Sequence, residues 1–334
     1  MGLKIKKRDL KPYVMQWLAN KLGLGLSIGD IYYVAASGGL WEANLLENGV
    51  PSNEIFSTVT AGEDALTGGQ HDVLCVTPGV YDEDATITWD KSHTHMVGLS
   101  GPPQHSEWSI PNVSIYTDAI SNASVLTVTG HYCQFHNFAV SNYGNNAACL
   151  TAVTINGYGN YFSFVDMIGA MLAAQIAVVA ASSLYFGADG ANSLLEDCNI
   201  GSSAWAIRTV ANSGVIRYTG TAGGGGPSNS TLRRCNINSR AETNTMAMVA
   251  LPANNCCARG WLYDQCHFNN FWVNHGGTLL SAFYDNCGTT HDITLRNCSA
   301  QGIARWYTAD NGSLFTIGAN SASAGGIAAE ATGD

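Results

Sequence analysis

Charge is what this chain has least of. Only 12% of its 334 residues are Asp, Glu, Lys or Arg, roughly half of the ~25% usual in globular proteins. There is no run of eighteen apolar residues, and the stretch MIGAMLAAQIAVVAA at 167–181 is too short to cross a bilayer, so no membrane span is expected. The first residues are basic, then polar and aromatic. They lack the apolar core and small-residue cleavage site of a secretory signal, and nothing marks the chain for export. No CxxC pair is matched by a second Cys or His set, which leaves zinc without support. The glycine run at 223–226 has no Lys and Ser or Thr after it and is not a phosphate loop.

What the chain does have is a repeat. A phrase of the form apolar-x-x-apolar-x-apolar reads FHNFAV at 135–140, FVDMIG at 164–169, LEDCNI at 195–200, LRRCNI at 232–237, YDQCHF at 263–268 and LRNCSA at 295–300. Its fourth positions, Phe138, Met167, Cys198, Cys235, Cys266 and Cys298, are 29, 31, 37, 31 and 32 residues apart. The phrases alternate with period two at their ends and stop at Gly, Ser or Asn, which reads as short strands. Between them the chain is rich in Gly, Asn, Ser and Thr, as turns require. Units of about thirty residues that present one apolar position to each neighbour stack into an all-β, parallel solenoid, with those six residues as a core ladder. Cys287 lies 11 residues before Cys298, too close for a whole coil, and is expected on another face.

The ten cysteines are expected to be free. Residues in register on adjacent coils sit about 4.8 Å apart with parallel Cα–Cβ vectors, whereas a disulfide needs Cβ atoms near 3.8 Å and converging. Thiols stacked this way act as small apolar residues, and with no export signal they point to assembly inside a cell.

Three domains are expected: a basic arm at 1–26, the solenoid with its cap at 27–308, and a Gly/Ala/Ser-rich tail at 309–334, with a last strand around Leu314–Ile317. The arm carries Lys4, Lys6, Lys7, Arg8, Lys11 and Lys21 against Asp9, near +5, while the other 308 residues are near −15. Leu10, Val14, Trp17, Leu18 and Leu22 fall at helical spacing. A solenoid coil cannot use that apolar face, so Lys6, Lys7, Arg8 and Trp17 are the candidate attachment residues. The acidic body argues against nucleic acid as the partner.

SIGDIYYVAASGG at 27–39, NGVPSNEIFSTV at 48–59, HDVLCVTPGVYDEDATI at 71–87 and HMVGLSGP at 95–102 resemble the opening segment of pectin-lyase-like right-handed β-helix proteins. The resemblance implies a glycine-led strand and a small-residue loop, then a cap helix near Val59–Leu66. It further implies a first strand near Val73–Val76 and a turn through Pro78, Gly79 and Tyr81. Many proteins of this kind are structural components of tailed bacteriophages; others are polysaccharide lyases or hydrolases.

Catalysis in such a solenoid needs carboxylates on one outer face of neighbouring coils. Asp166 and Asp197, each just before a ladder residue, are candidates together with Glu196, and Asp264 and Asp285 are a second set further along the chain. Their column continues as Asn137, Arg234, Gln265 and Asn297, a set that turn and side-chain stacking demands by itself. His93 and His95 could ligate a metal with His71 or His105, but read as surface histidines. Trp205, Tyr218, Trp261, Tyr263, Trp272, Trp306 and Tyr307 could stack on sugars or make the lateral contacts of an oligomer.

The sequence thus leads to a non-enzymatic virion structural protein of a bacteriophage, capsid-decorating or spike. It would be assembled in the host cytoplasm, dock on other virion proteins of capsid or tail through its arm, and form a homo-oligomer, a trimer being favoured. No metal or cofactor is expected. A receptor-binding tailspike that binds or cleaves a host surface glycan is the first alternative, and a free polysaccharide lyase or hydrolase the second.

Overall fold

A computed structural model describes residues 29–99, 113–202, 208, 210–219, 226–241, 246–253, 256–271, 279–287 and 292–307, with the backbone of 313–317. The basic arm with Lys6, Lys7, Arg8 and Trp17, most of the tail, His105, Trp205 and Trp272 lie outside the described residues.

Each phrase folds as a strand, a one-residue bend and a second strand. Thr231–Arg233 is followed by Arg234 at φ 52° and Asn236–Ser239; Trp261–Asp264 is followed by Gln265 at φ 56° and His267–Asn270. In two coils, Gln134–Asn142 and Tyr161–Ile168, the strand runs unbroken through the bend at Asn137 (φ 61°) and Phe164 (φ 54°). This left-handed residue accounts for the phrase. Strict alternation would carry positions 1, 3 and 5 inward, but the bend at position 3 resets the direction so that positions 1, 4 and 6 face the core. Left-handed backbone costs a non-glycine residue about 1–2 kcal/mol, a cost the flanking parallel pairing offsets.

The coils stack in register on three faces. The first face runs from Ile31–Val34 through Val73–Val76 and His95–Gly98 to Asp292–Arg296 and Ser313–Ile317. The second runs from Gly79–Asp82 to Ser299–Gln301. The third runs from Ile87–Trp89 to Ile303–Tyr307. All of these pairings are parallel, and the chain is a right-handed parallel β-helix. The last strand falls where the sequence placed it.

Register corrects one rung of the ladder. Phe138 pairs with Val165, and Asp166 with Asn199, so the column reads Phe138, Val165, Cys198, Cys235, Cys266, Cys298. Met167 belongs to the next inward column, beside Val140 and Ile200. The phrase in that coil is FSFVDM at 162–167. Phe164, apolar but sitting at the left-handed bend, mimicked its first position. All ten cysteines are free and buried. Each ladder thiol donates to a carbonyl of the coil before it: Cys235 Sγ to Leu195 O at 3.5 Å, Cys266 Sγ to Leu232 O at 3.3 Å and Cys298 Sγ to Tyr263 O at 3.3 Å. Cys287 lies on another face as expected, its Sγ 3.4 Å from Cys257 O.

The aromatic residues resolve differently. Tyr218, Trp261, Tyr263 and Trp306 are interior side chains, with Tyr218 and Tyr263 sharing a 2.7 Å hydroxyl bond. They are neither sugar platforms nor lateral contacts, because a wide coil needs large rings to fill it. The cap helix spans Val59–Ala65. Thr58 Oγ1 accepts from Ala61 N at 3.2 Å, and the buried Glu83 carboxylate accepts from Val59 N at 2.6 Å and Thr60 N at 3.3 Å, satisfying the free amides of the first turn. A Cβ on Gly62 would meet Leu74 Cδ1 at 2.6 Å, so glycine lets the helix close over the first coil. A second helix, Leu40–Glu47, lies between the segments 27–39 and 48–59, where the sequence reading places no element.

The ladder makes a direct prediction. Cys198, Cys235, Cys266 and Cys298 should resist alkylation in the native protein and react on unfolding, read by mass spectrometry with and without denaturant. Cys235→Asp should cost more than about 4 kcal/mol, as an unpaired buried charge does, in a denaturant titration.

Candidate functional site

The outer side of the first face carries position 2 of each phrase: His136, Ser163, Glu196, Arg233, Asp264 and Arg296 stand in one column. From Glu196 onward the sign alternates. Arg233 Nη1 lies 3.2 Å from Glu196 Oε1 and its Nε 3.6 Å from Asp264 Oδ2. Arg296 holds Asp264 with two bonds, Nε to Oδ1 at 2.8 Å and Nη2 to Oδ2 at 2.6 Å. Arg234, from the bend, grips Asp197 in the same forked way at 2.8 and 2.7 Å and reaches Glu196 Oε1 at 2.9 Å. Tyr161 donates to the other Glu196 oxygen at 2.8 Å. The Arg296 bond holds the Asp264 carboxyl below its usual range, and burial with Glu196 pushes the Tyr161 phenol up to about 12.

Asp166 and Asp197 do not share a column, contrary to the sequence reading. Asp197 occupies the left-handed bend with Asn137, Phe164, Arg234, Gln265 and Asn297. Asp166 stacks instead on Asn199, whose Nδ2 donates to its Oδ1 at 2.8 Å, and Asn236 continues the chain to Asn199 Oδ1 at 2.9 Å. Burial raises the Asp166 carboxyl to about 6, with the Asn199 bond opposing. The same register slip that misplaced Met167 produced this false pairing.

The histidines also differ from expectation. His95 is fully buried, not at the surface; its Nε2 lies 3.0 Å from His71 Nδ1 and its Nδ1 has no partner. Burial, with His71, His136 and His93 adding their charge, holds its pKa down to about 3, so it is a neutral imidazole. Among the described residues no three His, Cys, Asp or Glu side chains gather as a metal site would require. A feature missed from sequence lies nearby. His71, His93 and Tyr132 are left-handed residues three positions before Leu74, Met96 and Phe135, which project their rings outward. His131 stacks on Tyr158 at 4.0 Å, with Tyr132 edge-on to Tyr158 at 5.1 Å and His93 at 5.2 Å from Tyr132. Tyr132 is 49% and Tyr158 37% exposed.

No family model and no curated protein matches this chain. Solved structures do. The pectin methylesterase from Aspergillus niger superimposes with a TM-score of 0.50 at 14% identity, over 90% of this chain and 93% of that one. The pectin methylesterase of rice weevil gives a TM-score of 0.51 at 9% identity, over 80% and 87%. At these identities the likeness establishes the β-helix fold and nothing of the chemistry.

Asp166 yields a signed pH prediction. Its folded pKa lies above its unfolded value, so its contribution is full below about pH 4 and is lost as pH rises through about 6, on the order of 2–3 kcal/mol. Asp166→Asn keeps an oxygen for Asn199 and carries no charge. It should lack this fall between pH 4 and 6 and be at least as stable as wild type at pH 7.5, in denaturant titrations across that range. His95 acts the other way in both proteins: its contribution is full above about pH 6.5 and is lost as pH falls toward 3.

Proposed function

We propose that this chain is a non-enzymatic structural protein, an elongated β-helix that serves as a capsid-decorating or spike component of a bacteriophage virion. The observation that carries this reading is the charged column. Glu196, Asp197 and Asp264 are each gripped by a guanidinium of the neighbouring coil, which obstructs their oxygens as bases, and the Arg296 bond holds the Asp264 carboxyl below its usual range. Asp166 is turned to an amide ladder and not to a second carboxylate. A sugar-cleaving face would need an acid and a base aimed at the same bond.

Attachment finds support at the N-terminal end. Helix Leu40–Glu47 buries none of its residues, and it shows Leu40 at 73%, Trp41 at 44% and Leu46 at 45% exposure. A helix with exposed apolar side chains, close in sequence to the basic segment 1–26, is what a docking end supplies. The partner is an acidic, partly apolar surface of another virion protein.

A second reading, glycan recognition without cleavage, is favoured by the exposed Tyr132 and Tyr158 rings beside half-buried His131, since such rings offer the apolar face of a sugar a flat partner. It is compatible with a spike.

Two experiments test the structural reading. The purified chain should release no oligosaccharide from host surface glycans; release that Asp166→Asn abolishes would overturn the structural assignment. Removal of residues 1–26, or Leu40→Glu with Trp41→Glu, should leave a folded protein that no longer joins particles, scored by co-sedimentation. Charge reversal at Lys6, Lys7 and Arg8 should weaken joining in a salt-sensitive way, and Trp17→Ala with little salt dependence. Normal occupancy after both changes would remove the N-terminal end as the anchor.

A further inference from the structure

The corner that leads into the first face carries a row of left-handed residues, one per coil: Tyr132, Gly159, Asn192, Asn229 and Gly260, at φ 56°, 71°, 54°, 51° and 83°. Each stands two residues before a strand position, and those positions, Gln134, Tyr161, Leu194, Thr231 and Leu262, pair in register. The five therefore form a column parallel to the solenoid axis. Backbone bonds fix its spacing: Tyr132 N donates to Tyr158 O at 3.0 Å, Gly159 N to Ala191 O at 2.9 Å and Asn192 N to Ser228 O at 2.8 Å. Glycine and asparagine enter such a backbone easily. A bulky residue there is an outlier. Tyr132 nonetheless takes this conformation, and its ring is not buried in return but 49% exposed. Strained residues that packing does not explain collect at ligand sites.

The next coil leaves room for that ring, since a Cβ on Gly159 would meet Tyr132 Cδ1 at 2.5 Å and Cε1 at 2.6 Å. Tyr158 is held from beneath: its N donates to His131 Nδ1 at 3.2 Å while its ring stacks on the imidazole. Two rings thus stand in fixed orientation. The exposed amides of Asn192 and Asn229 follow on the same line, two and three coils beyond Tyr132, about 10 and 14 Å away at the coil spacing of a parallel stack. The turns that lead into the column lean acidic. Lys91 is engaged by Glu63 at 3.1 Å and by Asp90 at 3.8 Å, whereas the Asp90 side chain is 64% exposed and Asp189 is exposed too. Arg259 stands at the far end, in the coil of Gly260.

We propose that this corner binds a neutral, extended polysaccharide, a chain of equatorially linked hexopyranoses lying parallel to the solenoid axis, with one sugar ring on Tyr132 and Tyr158 and later hydroxyls on the Asn192 and Asn229 amides. The inference rests on the glycan-recognition reading and adds the class of chain and its direction. The coil spacing of about 4.8 Å is close to the advance of one unit in such a chain, so successive units meet successive coils. The apolar face of a ring with equatorial substituents lies flat on tyrosine. A carboxamide supplies both a donor and an acceptor to neighbouring hydroxyls. Asp90 and Asp189 repel uronates, and a coiled α-linked glucan turns its units away from a straight column.

The test is isothermal titration of the full chain with four oligosaccharides: β-1,4-mannohexaose, cellohexaose, the β-1,4-linked hexamer of mannuronate, and maltohexaose. At least one of the two neutral β-1,4 hexamers should bind about 10-fold or more tightly than the mannuronate hexamer and maltohexaose. Its disaccharide should bind at least about 10-fold more weakly, because it cannot reach from Tyr158 to Asn192. Tyr158→Ala should weaken the hexamer about 10-fold, as loss of a stacking ring does, and so should Tyr132→Asn, which tolerates the left-handed backbone. Asn192→Gly, equally tolerant, should weaken the hexamer about 5-fold and leave the disaccharide unchanged. Thermal midpoints of these exposed-site variants check that they fold, and the wild-type preference among the four sugars decides without them. Binding of the mannuronate hexamer or maltohexaose alone would overturn the inference and keep glycan recognition. An unchanged hexamer affinity in Asn192→Gly would overturn the axial direction, and one in Tyr158→Ala the site. Binding of none of the four overturns the inference, and a blank glycan array removes the glycan-recognition reading with it.

Discussion

In-register stacking governs this molecule. One turn of the chain returns each residue to within about 4.8 Å of its equivalent, so the neighbour that matters to a side chain is the residue one coil away. Apolar positions stack on apolar ones, as Phe135 does on Phe162 with ring centroids 4.6 Å apart. Amides hydrogen-bond to amides, as Asn236 does to Asn199. Thiols donate to the carbonyls of the preceding coil. Like charges cannot stack, because directly opposed like charges are destabilising. The column Glu196, Arg233, Asp264, Arg296 alternates for that reason.

The same rule shapes what the surface can do. A carboxylate that serves the stack is held between guanidinium groups and is spent as an acid or base. Asp166 escapes this by standing among amides, and burial then raises its pKa in place of an ion pair lowering it. The chemistry left for partners lies where stacking is interrupted: at the exposed helix Leu40–Glu47 before the first full coil, and at the left-handed corner where His93 and Tyr132 project.

Legibility in the sequence followed these lines. The phrase, the coil length, the cap helix, the strand Val73–Val76 and the separate face of Cys287 could all be read, because each depends on local pattern or on the near-constant distance between equivalent positions. The coil at 162–168 was misread because two apolar patterns overlap there, and only pairing with Phe138 and Val140 distinguishes them. That slip carried Asp166 into the wrong column and made a dyad with Asp197. Helix Leu40–Glu47 has no counterpart in the sequence reading: it buries none of its residues, so it carries no amphipathic signal. His95 looked exposed because alternation along one strand says which side a ring faces, not what covers that side.

The sequence by itself determined the solenoid. A phrase repeated every thirty-odd residues, with Gly and Asn at its corners, has one economical way to bury its apolar positions. Tertiary structure alone decided which residues touch between coils: that Val165 and not Met167 completes the ladder, that Tyr218, Trp261 and Tyr263 fill the interior, and that every carboxylate of the Glu196 column meets an arginine. The physical reason is that coil lengths vary by several residues. Register is then set by hydrogen bonding between strands distant in sequence, and a shift of two residues preserves the apolar pattern while exchanging every outward neighbour.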